Sequence, residues 1–114
     1  MLTVESLREF GANTKDGLSR CMNNEGFYLR LVNMALDDPN FDTLASAVEN
    51  DDKNAAFEAA HALKGTLANL SLTPLCEPVS EMTELLRAGR DADYAAYLSQ
   101  ILGKRKALTE LRNS

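Results

Sequence analysis

Apolar residues recur along this chain at intervals of three and four, and almost nowhere in the alternating pattern of a strand. The clearest run lies between about Asp52 and Leu72, where Ala56, Ala60, Leu63, Leu67 and Leu70 form the seam of a helix packed in a bundle. Thr73 is placed to cap the next helix, with Pro74 at its first position and Gly89 at its end. Pro78, close to its start, is expected to bend or reset the first turn. Asp91 is placed to cap a last helix reaching about residue 112, with Tyr94, Leu98, Ile101, Ala107 and Leu111 facing the core. Upstream, Thr3 and Gly11 bracket a short helix, and a second short segment spans about Asn13 to Asn23. A stripe of Phe27, Leu31, Met34 and Ala35 ends near Pro39. Asn40 or Asp42 then caps a helix with Leu44, Ala47 and Val48 on its apolar face. No Asn-Gly or Asp-Gly pair joins two alternating, strand-like runs as a hairpin turn would. The pattern predicts one all-α domain over residues 1–114, an antiparallel four-helix bundle. Three long helices, at about 52–72, 73–89 and 91–112, make three walls, and short N-terminal helices within 1–50 supply the fourth.

Composition agrees with helices: with aromatics at 6% and no Trp, the core must come from Leu, Ala, Val, Met and a few Phe. A net charge of −5 argues against a general nucleic-acid binder, which would present a basic face. The one basic run, Lys104-Arg105-Lys106, lies towards the C-terminal end of the last helix, where the dipole favours cations, and reads as a solvated face. No apolar run is long enough to span a bilayer, and the N-terminus lacks the basic start and apolar core of a secretion signal. Cys21 and Cys76 fit no metal or redox spacing and are expected to be reduced structural thiols, which suggests a cytoplasmic location. No His/Cys/Asp cluster offers a metal site.

The helix at 52–72 carries the only histidine of the chain, in the stretch AAHALKGTLANL. At about 100° per residue, His61 lies about 130° from the Ala60–Leu63–Leu67–Leu70 seam, on the outer side. Asn54, Glu58, Gly65, Ala68 and Leu72 fall within about 60° of His61, and Lys64 about 60° away on the other flank. Gly65 and Ala68 give the imidazole almost no cover. A mid-helix glycine costs about 1 kcal/mol relative to alanine, so a site that keeps one has a use for the missing side chain, such as close approach of another surface. Lys64 can bring a flexible ammonium suited to phosphate or carboxylate. Each residue has an ordinary explanation too: a solvent-exposed histidine, a glycine kept for helix packing, a lysine kept for solubility. Gly65 points away from the seam, which weakens the packing explanation.

The stretch HALKGTLANL resembles the signature of histidine-containing phosphotransfer (HPt) domains, His-x-Leu-Lys-Gly followed by small residues, on a helix of a four-helix bundle. His61, Leu63, Lys64 and Gly65 match, with Thr66, Ala68 and Asn69 behind them. Ser71 stands where the family commonly has a glycine, so the helix end is expected to differ in detail. The segment TPLCEPVSEM resembles the family's next helix less specifically. The resemblance implies that His61 accepts a phosphoryl group from an aspartyl phosphate of a response-regulator receiver domain and passes it to another receiver. Lys64 would neutralise the phosphoryl charge. Gly65 and Ala68 would form the approach surface, with Asn54, Phe57, Glu58 and Leu72 as further partner contacts. The resemblance also implies a phosphocarrier rather than an enzyme, monomeric, with no cofactor of its own. Mg²⁺ would sit on the receiver, and a sensor or hybrid histidine kinase would stand upstream.

Three other readings compete. A sensor-kinase dimerisation helix usually has an acidic residue directly after its histidine, whereas Ala62 follows His61, and no glycine-rich nucleotide site is present. A hydrolase lacks a second catalytic group beside the histidine. A non-catalytic helical adaptor that binds a signalling partner without phosphotransfer remains the main alternative.

Overall fold

The computed structural model describes residues 1–114 and contains seven helices and no strand. The first is α1, Val4–Phe10, opened by a capping box in which Thr3 and Ser6 accept each other's backbone N–H, and closed by a left-handed Gly11. Next come α2, Thr14–Arg20, capped by Asn13, and α3, Glu25–Leu36, capped by Asn24. Then α4, Asn40–Glu49, follows Pro39, and α5, Lys53–Asn69, is capped by Asp52. Last are α6, Thr73–Arg87, and α7, Tyr94–Asn113. Short connections make α4, α5, α6 and α7 run alternately up and down; each packs on the next, and α4 closes the ring against α7. The antiparallel four-helix bundle is thus built as expected, with α4 as its fourth wall.

Phe41 and Leu44 of α4, Leu63 and Leu67 of α5, Leu75, Val79 and Met82 of α6, and Ile101 and Leu108 of α7 are completely buried in one core. The small residues Ala56, Ala59 and Ala60 are buried with them and let the neighbouring helices approach α5 closely. Every residue of the expected α5 seam is buried. Of the face expected for α4, Leu44 and Ala47 are buried and Val48 is half-buried.

Several details differ from the sequence expectation. The second helix stops at Arg20, because Met22 and Asn23 take left-handed backbone conformations (φ +57° and +58°) that no α-helix contains. In α3 the buried face is Tyr28, Val32, Ala35 and Leu36, while Phe27 and Met34 are 40% and 63% exposed. Both stripes have helical spacing, and the choice between them was made by Tyr28. Its ring packs over Gly17 and its hydroxyl donates to the Leu70 carbonyl (2.8 Å). Leu108, not Ala107, enters the core from α7, and α7 is capped by Asp93, whose carboxylate accepts from the Ala96 N–H, rather than by Asp91. Thr73 lies inside α6 and does not cap it, and the helix runs on through the buried Pro78.

The most consequential difference lies at the end of α5. The helix ends at Asn69, not at Leu72, because Ser71 adopts φ +55° and redirects the chain. The N-terminal helices hold this turn. Asn13 N–H donates to the Ser71 carbonyl (3.0 Å), and Ser71 Oγ donates to Asp16 Oδ2 (2.5 Å). Arg20 Nε donates to the same carboxylate oxygen of Asp16 (3.0 Å). Tyr28, its phenol pushed up to about 12 by burial, remains a neutral donor to Leu70.

Two consequences are measurable. A Cβ on Gly17 would lie 2.6–2.7 Å from the Tyr28 ring and hydroxyl, which cannot move without breaking the bond to Leu70. Gly17→Ala should therefore destabilise the protein by about 1–3 kcal/mol in chemical denaturation, despite alanine's better helix propensity. The Ser71 hydroxyl, then Arg20, holds the Asp16 carboxyl below its ordinary value of 3.8. A carboxyl lowered in the folded state stabilises above its unfolded value, and that stabilisation is lost as pH falls through the folded one. Asp16→Asn should melt below the wild type at pH 7, with the gap closing below pH 3.8; equal melting at pH 7 would show that the Asp16–Ser71 bond does not hold the turn.

Candidate functional site

Because the seam of α5 is consumed by the core, its opposite side is left to solvent. Asn54, Glu58, His61, Gly65 and Ala68 are exposed along that strip, with Phe57 and Lys64 half-buried at its edge. Leu72 does not join them. It lies beyond the left-handed Ser71, directly before α6, and is completely buried, so its expected place among the partner contacts is corrected. Extending the helical count through residue 71 placed it on the wrong side.

The imidazole of His61 is oriented by one neighbour. Phe57, one turn earlier, stacks on it with ring centroids 5.6 Å apart and planes 10° from parallel. No protein group hydrogen-bonds the His61 ring. The next contributions come from the last turns of α6. The Arg87 guanidinium lies over the Phe57 ring, 5.2 Å from its centroid. Glu84 joins the cations: Lys64 Nζ donates to Glu84 Oε1 (3.2 Å), and Arg87 Nε lies 3.4 Å from Glu84 Oε2. The Lys64 hydrogen bond, with Arg87 adding to it, holds the Glu84 carboxyl below the usual range.

The result is a continuous array at the surface: imidazole, phenyl ring, guanidinium, carboxylate and ammonium, the phenyl ring and the ammonium half-buried. The imidazole is linked through the Phe57 ring to Arg87, and Arg87 shares one carboxylate with Lys64, which lies three residues beyond His61 on α5. Such an array suits an anion delivered at the imidazole by an approaching surface; no three His, Cys, Asp or Glu side chains are grouped to hold a metal ion. Glu84 and Arg87 were not found from the sequence. Their i, i+3 spacing on α6 is visible there, but what they face depends on how the turn at Ser71 sets α6 against α5. Lys64, expected as a flexible ammonium suited to phosphate or carboxylate, is paired with the Glu84 carboxylate.

Cys76, also on α6, lies behind this array with its thiol 3.9 Å from the Lys64 carbonyl, and burial pushes its pKa up. Cys76 and the buried Cys21 are both free thiols.

Gly65 has no atom within 4 Å of the position its Cβ would occupy. Nothing inside this molecule calls for glycine there, in contrast to Gly17. Gly65→Ala should accordingly stabilise the fold by up to about 1 kcal/mol, read as a raised melting temperature; a lowered one would mean that the position is in contact with the protein itself.

A family model described as "Hpt domain" matches residues 36–114. That span begins at the last residue of α3 and takes in the whole four-helix ring, leaving residues 1–35 outside it. No curated protein and no solved structure matches the chain.

Proposed function

Since the chain belongs to the Hpt domain family, phosphocarriers that act through histidine phosphotransfer in two-component signalling, we propose that His61 is its phosphoacceptor and relays a phosphoryl group between receiver-domain aspartates. The observation that carries this reading is the exposure of the chain's only imidazole on a helix face that also carries Lys64, with Arg87 seated on the Phe57 ring it stacks against and no side chain at Gly65.

In the proposed step the lone pair of an unprotonated ring nitrogen attacks the phosphorus of an aspartyl phosphate. The N–P bond forms as the aspartyl O–P bond breaks, and the electron pair leaves on the receiver's carboxylate while the other ring nitrogen keeps its proton. Phe57 holds the ring's orientation. Lys64 and Arg87 supply positive charge where the phosphoryl oxygens arrive. Gly65 and Ala68 let the partner come close, and Asn54 and Glu58 lie along the same strip to contact it. The receiver would bring the Mg²⁺ and complete the chemistry, and a sensor or hybrid histidine kinase would supply the phosphoryl group. The protein would work as a monomer, because the relay requires the His61 face to stay free. No helix is long and apolar enough to cross a membrane.

Incubation with a ³²P-labelled receiver tests the reading against that of a passive helical adaptor. Wild type should take label, and His61→Gln should fold and take none; label on that variant would end the proposal. Gly65→Gln should melt at least as high as wild type yet transfer more slowly. The side chain would prop the receiver away from the imidazole, and a displacement of about 1 Å can cost about a hundredfold in rate. Normal transfer by a well-folded Gly65→Gln protein would remove the docking role of this face.

A further inference from the structure

A carboxylate sits where an incoming dianion would be least welcome. Glu84 projects from α6 onto the rim of the His61 face, with one oxygen on Lys64 and the other on Arg87. Its side chain is 55% exposed and those of Lys64 and Arg87 are 34% and 51% exposed, so these pairs are worth little to folding. Their value has to be sought in what they do to the site. Neither cation depends on Glu84 for its place. Lys64 is fixed to the His61 face by the three-residue helical spacing, and Arg87 is seated on the Phe57 ring.

We infer that Glu84 is a built-in competitor for the phosphoryl group: its carboxylate occupies the two cations while His61 is empty and yields them when the imidazole is loaded. This deepens the phosphoacceptor reading of His61 and rests on it. A carrier must release its cargo as readily as it takes it, and two unopposed cations beside the phosphorylated ring would favour retention. One carboxylate within reach of both lowers the advantage of the loaded form. It also keeps the empty site from attracting other anions. On this account Glu84 is a positioning residue that sets how phosphate divides between His61 and the receiver, without touching the reacting atoms.

The test measures the distribution of ³²P between wild-type protein and a receiver at equilibrium, and the half-life of phospho-His61 prepared with phosphoramidate, a small donor that needs no receiver. Glu84→Gln should move the distribution towards His61 by about threefold to tenfold, the range expected for one charge near the phosphoryl group at a solvated surface. It should also lengthen the half-life. The shift should shrink as salt rises, and Glu84→Asp should stay near wild type. In a Lys64→Ala background the effect of Glu84→Gln should be smaller, because one of the two cations it liberates is gone. All variants should melt close to wild type. If Glu84→Gln leaves the distribution unchanged, or moves it towards the receiver, Glu84 does not compete for the cations. An effect of equal size without Lys64 would also overturn the inference. A wild-type protein that takes no label on His61 from either donor fails the phosphoacceptor reading itself; one that labels normally while Glu84→Gln behaves identically fails the competition alone.

Discussion

The turn at Ser71 governs the arrangement of everything that follows it. A non-glycine residue at φ +55° carries a penalty of about 1–2 kcal/mol, because its Cβ crowds the neighbouring carbonyl. Here the side chain responsible for that penalty also helps to offset it, since Ser71 Oγ donates to the Asp16 carboxylate in a charge-assisted bond. Backbone and side-chain bonds from Asn13 and Tyr28 converge on the same few residues. The family's usual glycine would take this conformation without strain. In this chain residues of the N-terminal segment that lie before the matched family span, Asn13, Asp16 and Tyr28, take over that task.

The turn has a functional reach because α6 leaves it at a set angle to α5. Leu72, Leu75 and Val79 are driven into the core. The opposite edge of α6 then carries Glu84 and Arg87 along the outside of α5, to the level of Phe57 and Lys64. The site around His61 is therefore made of two helices whose relation is decided at the far end of both. Its polar members lie at the surface and are individually weak in energy, while the apolar residues beneath them are completely buried. A rigid base carrying an open, adjustable layer of charge is suited to a surface that must accept a partner and let it go.

Glycine illustrates how the same residue answers opposite needs on one scaffold. At Gly17 a side chain would strike the Tyr28 ring, so glycine is demanded by contact inside the protein. At Gly65 the space is empty, so no contact inside the protein demands glycine. Local sequence does not distinguish the two cases, for both glycines sit inside helices among ordinary helix formers.

The sequence by itself determined the helices, the seam of α5 and the outward direction of His61. Those properties depend on local spacing, side-chain propensity and caps such as Thr3, and the HALKG stretch pointed to the family on its own. Tertiary structure decided which of two helical stripes on α3 is buried, because a hydroxyl on Tyr28 reaches a carbonyl that is 42 residues away. It decided that Leu72 belongs to the core, because a single left-handed residue ends the regular rotation from which its direction was inferred. It also brought Glu84 and Arg87 to the histidine. Contacts between helices depend on the rotation and height of each relative to the other, and those are settled only when the side chains of all of them pack at once.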